Sequence, residues 1–173
     1  MSLLLKLSEE HFLTAEAGGF AAFTTEIRDS NPVNASPYLI KYRDFLDRAN
    51  IWSGRGSLCR SLDRIMTASR SCGISVEAAL IGGSFTDLSN PAPRDIDCLL
   101  LYRKSLEDQE IAVSALQKLE IYAKSFGGDV RFAPLDGDPI LLLKVVSFFS
   151  TLFTVGKPLG APPRGLVLID CRM

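Results

Sequence analysis

"LIGGSFTDLSNPAPRDIDCLLLY", residues 80–102, places two glycines and a serine straight after one apolar run and two aspartates, Asp95 and Asp97, at the mouth of the next. The first run, Val76 to Ile81, is short, apolar and followed at once by Gly82 and Gly83, which reads as a buried strand. The second, residues 95–102, reads as another strand. Side chains alternate along a strand, so Asp95 and Asp97 share one face while Ile96 and Cys98 share the other and can enter a core. Two like charges roughly 6–7 Å apart at a strand end repel unless a cation lies between them. A hard divalent cation such as Mg²⁺ takes oxygen ligands of this kind and keeps places for water and substrate phosphates. The glycines supply a complementary element. Without a Cβ, Gly82 and Gly83 can take strained turns and let a phosphate approach the backbone, and Ser84 adds a hydroxyl and an N–H to such an anion site.

The chain on either side of this stretch reads as alternating helices and strands. Downstream, Ser105 with Asp108 three residues on is a weak capping box for a helix over 106–126, carrying Leu106, Ala112, Ala115, Leu119, Tyr122 and Phe126 at helical spacing. Gly127 and Gly128 stop it. "DVRFAPL" alternates polar and apolar residues and predicts a third strand over 129–133. Asp138-Pro139 is a helix start, with Asp as N-cap and Pro at the first helical position, opening an apolar helix over 140–155. Residues 156–165 read as loop and 166–170 as a last short strand. Upstream, "PYLIKYRDFLDRAN" from Pro37 has Leu39, Tyr42, Phe45, Leu46 and Ala49 near helical spacing. "SGRGS" at 53–57 breaks that pattern. Ser57 is a candidate cap for a second helix, with Leu58, Leu62, Ile65 and Met66 on one face and Gly73 as its left-handed terminator. Residues 1–35 read as a mostly irregular N-terminal extension, and 36–173 as a single α/β (α+β) domain.

Composition narrows the function classes. The chain has 173 residues, 47% of them hydrophobic, and a formal net charge of −1; that is ample for one core, and there is no basic field to favour general nucleic-acid binding. Cys59, Cys72, Cys98 and Cys171 are far apart and read as four reduced thiols, which points to the cytoplasm. His11 is the only histidine and has no ligand-spaced neighbour, so a zinc site is not expected. The most membrane-like stretch, 139–156, carries Lys144 and falls below the ~20 apolar residues that a span needs. It reads as a buried helix, with docking on a partner as the other use.

Gly-Gly-Ser, a short spacer, then Asp-x-Asp on a strand resembles the signature of the nucleotidyltransferase fold of DNA polymerase beta and its relatives. The resemblance covers residues 76–133. It implies a mixed β-sheet flanked by helices, with Gly82, Gly83 and Ser84 holding nucleotide phosphates. Two metal-binding acids are then expected at Asp95 and Asp97, and a third on a later strand. The matching third position is Asp129 in "GGDVRF", with Asp136 and Asp138 as the alternatives. Arg131, on the face of Asp129, is expected either to neutralise a triphosphate or to pair with the aspartates, and Arg94 likewise. "FFSTLFTVGKPLGAPPRGLVLID" is similar to the end of a group of small bacterial nucleotidyltransferase-like proteins, with Arg164 where Lys is usual. The resemblance implies transfer of an NMP from an NTP, most readily ATP, to a hydroxyl on a protein, an RNA end or a small molecule. Two Mg²⁺ ions, or Mn²⁺, would serve as cofactors. The short chain implies a protein partner or a homodimer, for example within a toxin–antitoxin or defence system. The alternative is an inactive relative acting as a nucleotide-binding or protein-interaction module.

Overall fold

The computed structural model describes residues 3–105, 111–155 and 162–172. Five strands form one mixed sheet in the order β1-β5-β2-β3-β4: β1 is Tyr38–Lys41, β2 Ile74–Gly82, β3 Ile96–Lys104, β4 Gly128–Pro134 and β5 Val167–Asp170. β2 runs antiparallel to both β3 and β5, whereas β3 and β4 are parallel, as are β1 and β5. The helices are α1 (Leu3–Ala17), α2 (Tyr42–Ala49), α3 (Gly56–Ser71), α4 (Val113–Lys124) and α5 (Pro139–Thr154). The result is the expected mixed α+β class.

Both faces of the sheet are covered, unequally. On one side Phe12 of α1, Phe45 of α2, Leu62 and Ile65 of α3, and Leu119 of α4 pack with Ile81, Ile96, Cys98 and Val130 into the main core. On the other side α5 alone covers Leu80, Leu99, Ala133 and Leu166, through Phe153 with Leu142, Val145, Val146 and Phe149. β2 and β3 lie between these layers, which is why they read as nearly continuous apolar runs.

Several local expectations hold. Asp138 caps α5, its Oδ1 accepting from the N–H groups of Ile140 (2.8 Å) and Leu141 (3.0 Å) with Pro139 at the helix start. Gly73 (φ +74°) and Gly127 (φ +81°) take the left-handed conformation just past α3 and α4. All four cysteines are free. Among the described residues no helix is long and apolar enough to cross a membrane.

Others are corrected. Within the segment expected to be irregular, Leu3–Ala17 is helical, and Phe12, Ala15 and Phe20 enter the main core. The helix formers Leu, Lys, Glu and Ala across 3–17 carried that signal, which the Gly-rich stretch after it obscured. Glu16 ties α1 to α2: its carboxylate accepts from Trp52 Nε1 (2.6 Å) and Arg48 Nε (2.8 Å). Residues 38–41, expected to begin a helix, are extended. Tyr38 and Ile40 point into the core, and the segment pairs residue by residue with Val167–Asp170. Over four residues apolar periodicity does not separate strand from helix, and the free edge of β5 decided it. Ser57 does not cap α3, which begins at Gly56 without a side-chain cap. The α4 helix starts at Val113, and Leu106 of the expected helix and Asp108 of the expected capping box lie outside the described residues.

The feature with the largest consequence is Arg55, which is fully buried. Its guanidinium donates to the carbonyls of Phe85 (Nε, 2.7 Å), Ser53 (Nη1, 2.6 Å), Asn90 (Nη1, 3.0 Å), Asp87 (Nη2, 2.6 Å) and, at 3.5 Å, Ser84. Burial lowers its pKa, and its plane lies over the Phe85 ring at 5.7 Å. Arg55→Met is expected to leave these carbonyls without donors and to cost about 3–5 kcal/mol in denaturant unfolding. Arg55→Lys should fall between, since an ammonium brings three donors where the guanidinium brings five. A loss below about 1 kcal/mol for Arg55→Met would show that water replaces the guanidinium.

Candidate functional site

The antiparallel pairing of β2 with β3 brings the end of one strand beside the start of the other, so Gly82 pairs with Asp97. The parallel pairing of β3 with β4 then sets Asp97 opposite Asp129. Registered neighbours on adjacent strands lie about 5 Å apart and point to the same face. That face is the one α5 covers. Asp95, two residues before Asp97, precedes the strand on the same side. All three acids line one cleft of about 640 Å³, together with Gly83, Ser84, Asn90, Arg94, Arg164 and the α5 end residues Leu152, Phe153 and Val155.

The two glycines have distinct roles. Gly82 sits under α5: a Cβ there would lie 2.5 Å from Leu166 Cδ2 and 2.6 Å from Phe153 Cβ. Gly83 has φ +64° and opens a single 3-10 turn, Gly83–Phe85, that carries Ser84 into the cleft. A Cβ on Gly83 would collide with Asp97 Oδ2, so the space over its Cα is taken by the chain's own carboxylate.

Asp129 Oδ1 is shielded from solvent and lacks a hydrogen-bond donor. It is paired by charge alone, with Arg131 Nη1 at 3.0 Å outside hydrogen-bond geometry. Arg131 also approaches Glu120 (3.9 Å) and donates to the Val130 carbonyl (2.8 Å), and it is not among the residues lining the cleft. Of the two expected uses of Arg131, the pairing with an aspartate is the one seen. Asp138 is occupied as the α5 cap, and neither it nor Asp136 lines the cleft. Among the described residues, the basic groups at the cleft are Arg94 and Arg164.

The loop between the glycine turn and the acids is held at both ends. Arg55 gathers its carbonyls from below. At its outer side Asp87 Oδ1 accepts from Ser89 Oγ and from Ser89 N–H (3.2 Å), while Asp87 Oδ2 pairs with Arg164 at 3.0 Å. The Ser89 bond, with the two arginines, holds the Asp87 carboxyl below its ordinary pKa. Gly54 (φ +72°) is packed so closely on the Pro91 carbonyl that a side chain there would collide with it. Arg55 and Gly54 were missed as site determinants: "SGRGS" reads as a mere break, although an arginine flanked by glycines was the available signal.

The donor chemistry suits a hard divalent cation: three carboxylates face one cleft, and one of their oxygens is buried without a donor. The spacing is not that of a ready-made cage, because no group of three or more His, Cys, Asp or Glu side chains among the described residues is placed to hold a metal ion. Asp129 is engaged with Arg131, and Asp97 lies against Gly83. Asp95, Asp97 and Asp129 would therefore be the ligands, with Arg131 turning away from Asp129 as an ion enters.

Gly82→Ala is expected to destabilise by about 1–3 kcal/mol, because Phe153 or Leu166 must shift. Gly83→Ala should cost a similar amount, and part of that cost should vanish in Asp97→Ala, a coupling of about 1 kcal/mol in a denaturation double-mutant cycle. Additivity would show that the Gly83 cost is backbone strain alone. The lowered Asp87 pKa has a defined sign: its contribution to stability is present above the ordinary carboxylate pKa and lost as pH falls through the lower folded value. Asp87→Asn should remove that part of the acid slope below the ordinary carboxylate pKa of about 4 in unfolding measured against pH.

No curated protein and no solved structure matches the chain. A family match runs over residues 25–170, from before β1 to the end of β5, and so takes in the whole sheet and every residue of the cleft. The chain belongs to that family, DUF6932, a family of unknown function.

Proposed function

We propose that the chain is a Mg²⁺-dependent nucleotidyltransferase, working in the cytoplasm, that moves an NMP from an NTP to a hydroxyl acceptor. The observation that carries this reading is the in-register pair Asp97 and Asp129, with Asp95 beside them, facing one cleft next to the Gly83–Ser84 turn. Arg94 and Arg164 give that cleft cations for a polyphosphate. Asp95 and Asp97 would bind the nucleotide's metal. Asp129 would complete the site and accept the proton of the attacking hydroxyl. The acceptor oxygen bonds to the α-phosphorus as the bond to pyrophosphate breaks. Mg²⁺, when bound, supplies charge neutralisation at the phosphates and lowers the acceptor's pKa. Ser84 and the backbone of the turn would hold the phosphates, and Leu152 and Val155 offer an apolar wall for a base.

A second reading has its own support. The Asp129–Arg131 ion pair and the lack of a preformed three-acid group favour a protein that binds a nucleotide or a protein partner without chemistry, for instance in a toxin–antitoxin or defence system. The two separate at Asp129. In the enzyme, Asp129→Ala should leave Mg–NTP binding within a few-fold and remove pyrophosphate release and label transfer by two or more orders of magnitude. The assay takes each NTP, with Mg²⁺ or Mn²⁺ and a lysate as acceptor source. Asp95→Asn with Asp97→Asn should abolish metal-dependent NTP binding while the fold persists. Arg131→Ala should lower the Mg²⁺ concentration needed for binding, because it removes the cation's competitor for Asp129. No transfer from any NTP by the unmodified protein would leave the binding reading, and NTP binding unchanged by the double Asp→Asn variant would exclude this cleft.

A further inference from the structure

On the nucleotidyltransferase reading, on which this rests, we infer that Asn90 is a substrate-binding residue whose side-chain amine donates to a phosphate oxygen of the nucleotide. Asn90 stands on the loop between the glycine turn and the aspartates, is half-buried and lines the cleft. The chain itself uses three of its four polar groups. Its backbone N–H donates to the Asp87 carbonyl at 3.0 Å. Its carbonyl accepts from Nη1 of the buried Arg55 at 3.0 Å. Its Oδ1 accepts from the Ala92 N–H at 3.1 Å. That last bond fixes which end of the side chain is which, since only the oxygen of a carboxamide accepts from an N–H. What is left is Nδ2, with two N–H donors and no partner among the described residues.

The turn alone does not call for an amide. Closing it takes only the side-chain oxygen, which an aspartate supplies equally well. The same loop shows this at Asp87, whose Oδ1 accepts from the N–H of Ser89, also two residues on, at 3.2 Å. An aspartate at position 90 would add a fourth acid to the cleft, whereas the amide closes the turn and presents donors in its place. The neighbouring groups say what those donors meet. Ser84 and Arg94, which the same loop brings to the cleft, and Arg164 from the segment before β5 all suit an anion. A polyphosphate offers only acceptor oxygens to such a wall. Arg55 fixes the backbone that carries Asn90, so little freedom is lost when the amine engages a ligand.

The test is titration calorimetry of the full chain with Mg–ATP and with Mg–pyrophosphate. Asn90→Ala removes both the turn oxygen and the amine. Asn90→Asp keeps an oxygen for the Ala92 N–H and sets a carboxylate where the amine was. Asn90→Ala is expected to raise the Kd of both probes roughly tenfold, the loss of one hydrogen bond to a charged group. Asn90→Asp should raise it further, with a circular-dichroism melt close to the parent's. The opposite order, Asn90→Asp binding as the parent does and Asn90→Ala weakened, would assign the residue to the turn alone and overturn its binding role. Weakened Mg–ATP binding beside pyrophosphate binding that is unchanged, or absent from the parent, would also overturn it, because the amine would then serve the nucleoside. A parent that binds no Mg–ATP would remove this role together with the nucleotidyltransferase reading. Binding that Asp95→Asn with Asp97→Asn abolishes, but both Asn90 variants keep, would remove the Asn90 role alone.

Discussion

Five backbone carbonyls of two separate segments turn inward to one guanidinium, that of Arg55, in a part of the molecule closed to water. Four of them belong to residues 84–90, the segment joining the glycine turn to the aspartates. A loop of that length has little reason of its own to adopt one shape, and its carbonyls would otherwise seek solvent. A planar group with five donors answers several of them at once. A charged residue at the start of α3 thus fixes the path between the end of β2 and the start of β3, and with it where Ser84, Asn90, Arg94 and Asp95 stand. Phe85, drawn in beside Arg55, joins Phe45 and Trp52 in an aromatic group that reaches α2.

Once that loop is set, the strand order does the rest. An antiparallel β2–β3 pair places the glycine turn next to Asp97, and a parallel β3–β4 pair places Asp129 on the other side of it. The sheet edge therefore collects negative charge that folding alone does not demand. The fold meets this with local partners: Arg131 for Asp129 and Arg164 for Asp87. Such pairing is modest in strength at partly exposed positions and can be exchanged for a ligand, which is what a binding site requires. The layering is unequal as well: α1 to α4 cover one face of the sheet, and α5 alone covers the other.

The central elements were legible because each rests on local chemistry. The runs at 74–82 and 96–104 are apolar enough to be strands in any context, Asp138-Pro139 is a helix start wherever it stands, and a glycine after α3 or α4 ends a helix by its own backbone freedom. The shared face of Asp95 and Asp97 follows from the two-residue period of a strand. The errors fell where sequence patterns are degenerate. Residues 38–41 carry spacing that fits helix or strand, and only the pairing with β5, more than a hundred residues away, selects the strand. Helix α1 was masked by the Gly-, Ser- and Pro-rich stretch that follows it, and it holds its place because Phe12 and Ala15 enter the core.

By itself, then, the sequence determined the mixed α+β class, the order of the central elements, and a motif of glycines, serine and acids, the basis of the proposed phosphate and metal site. These follow from periodicity, capping and charge, which act over a few residues. Tertiary structure alone decided that Asp129 stands opposite Asp97, that Asp97 occupies the space over Gly83, and that Arg55 organises the loop. Each of these is a contact between segments distant in the chain, fixed by strand register or by burial of a polar group that must find partners, and neither is written in local spacing.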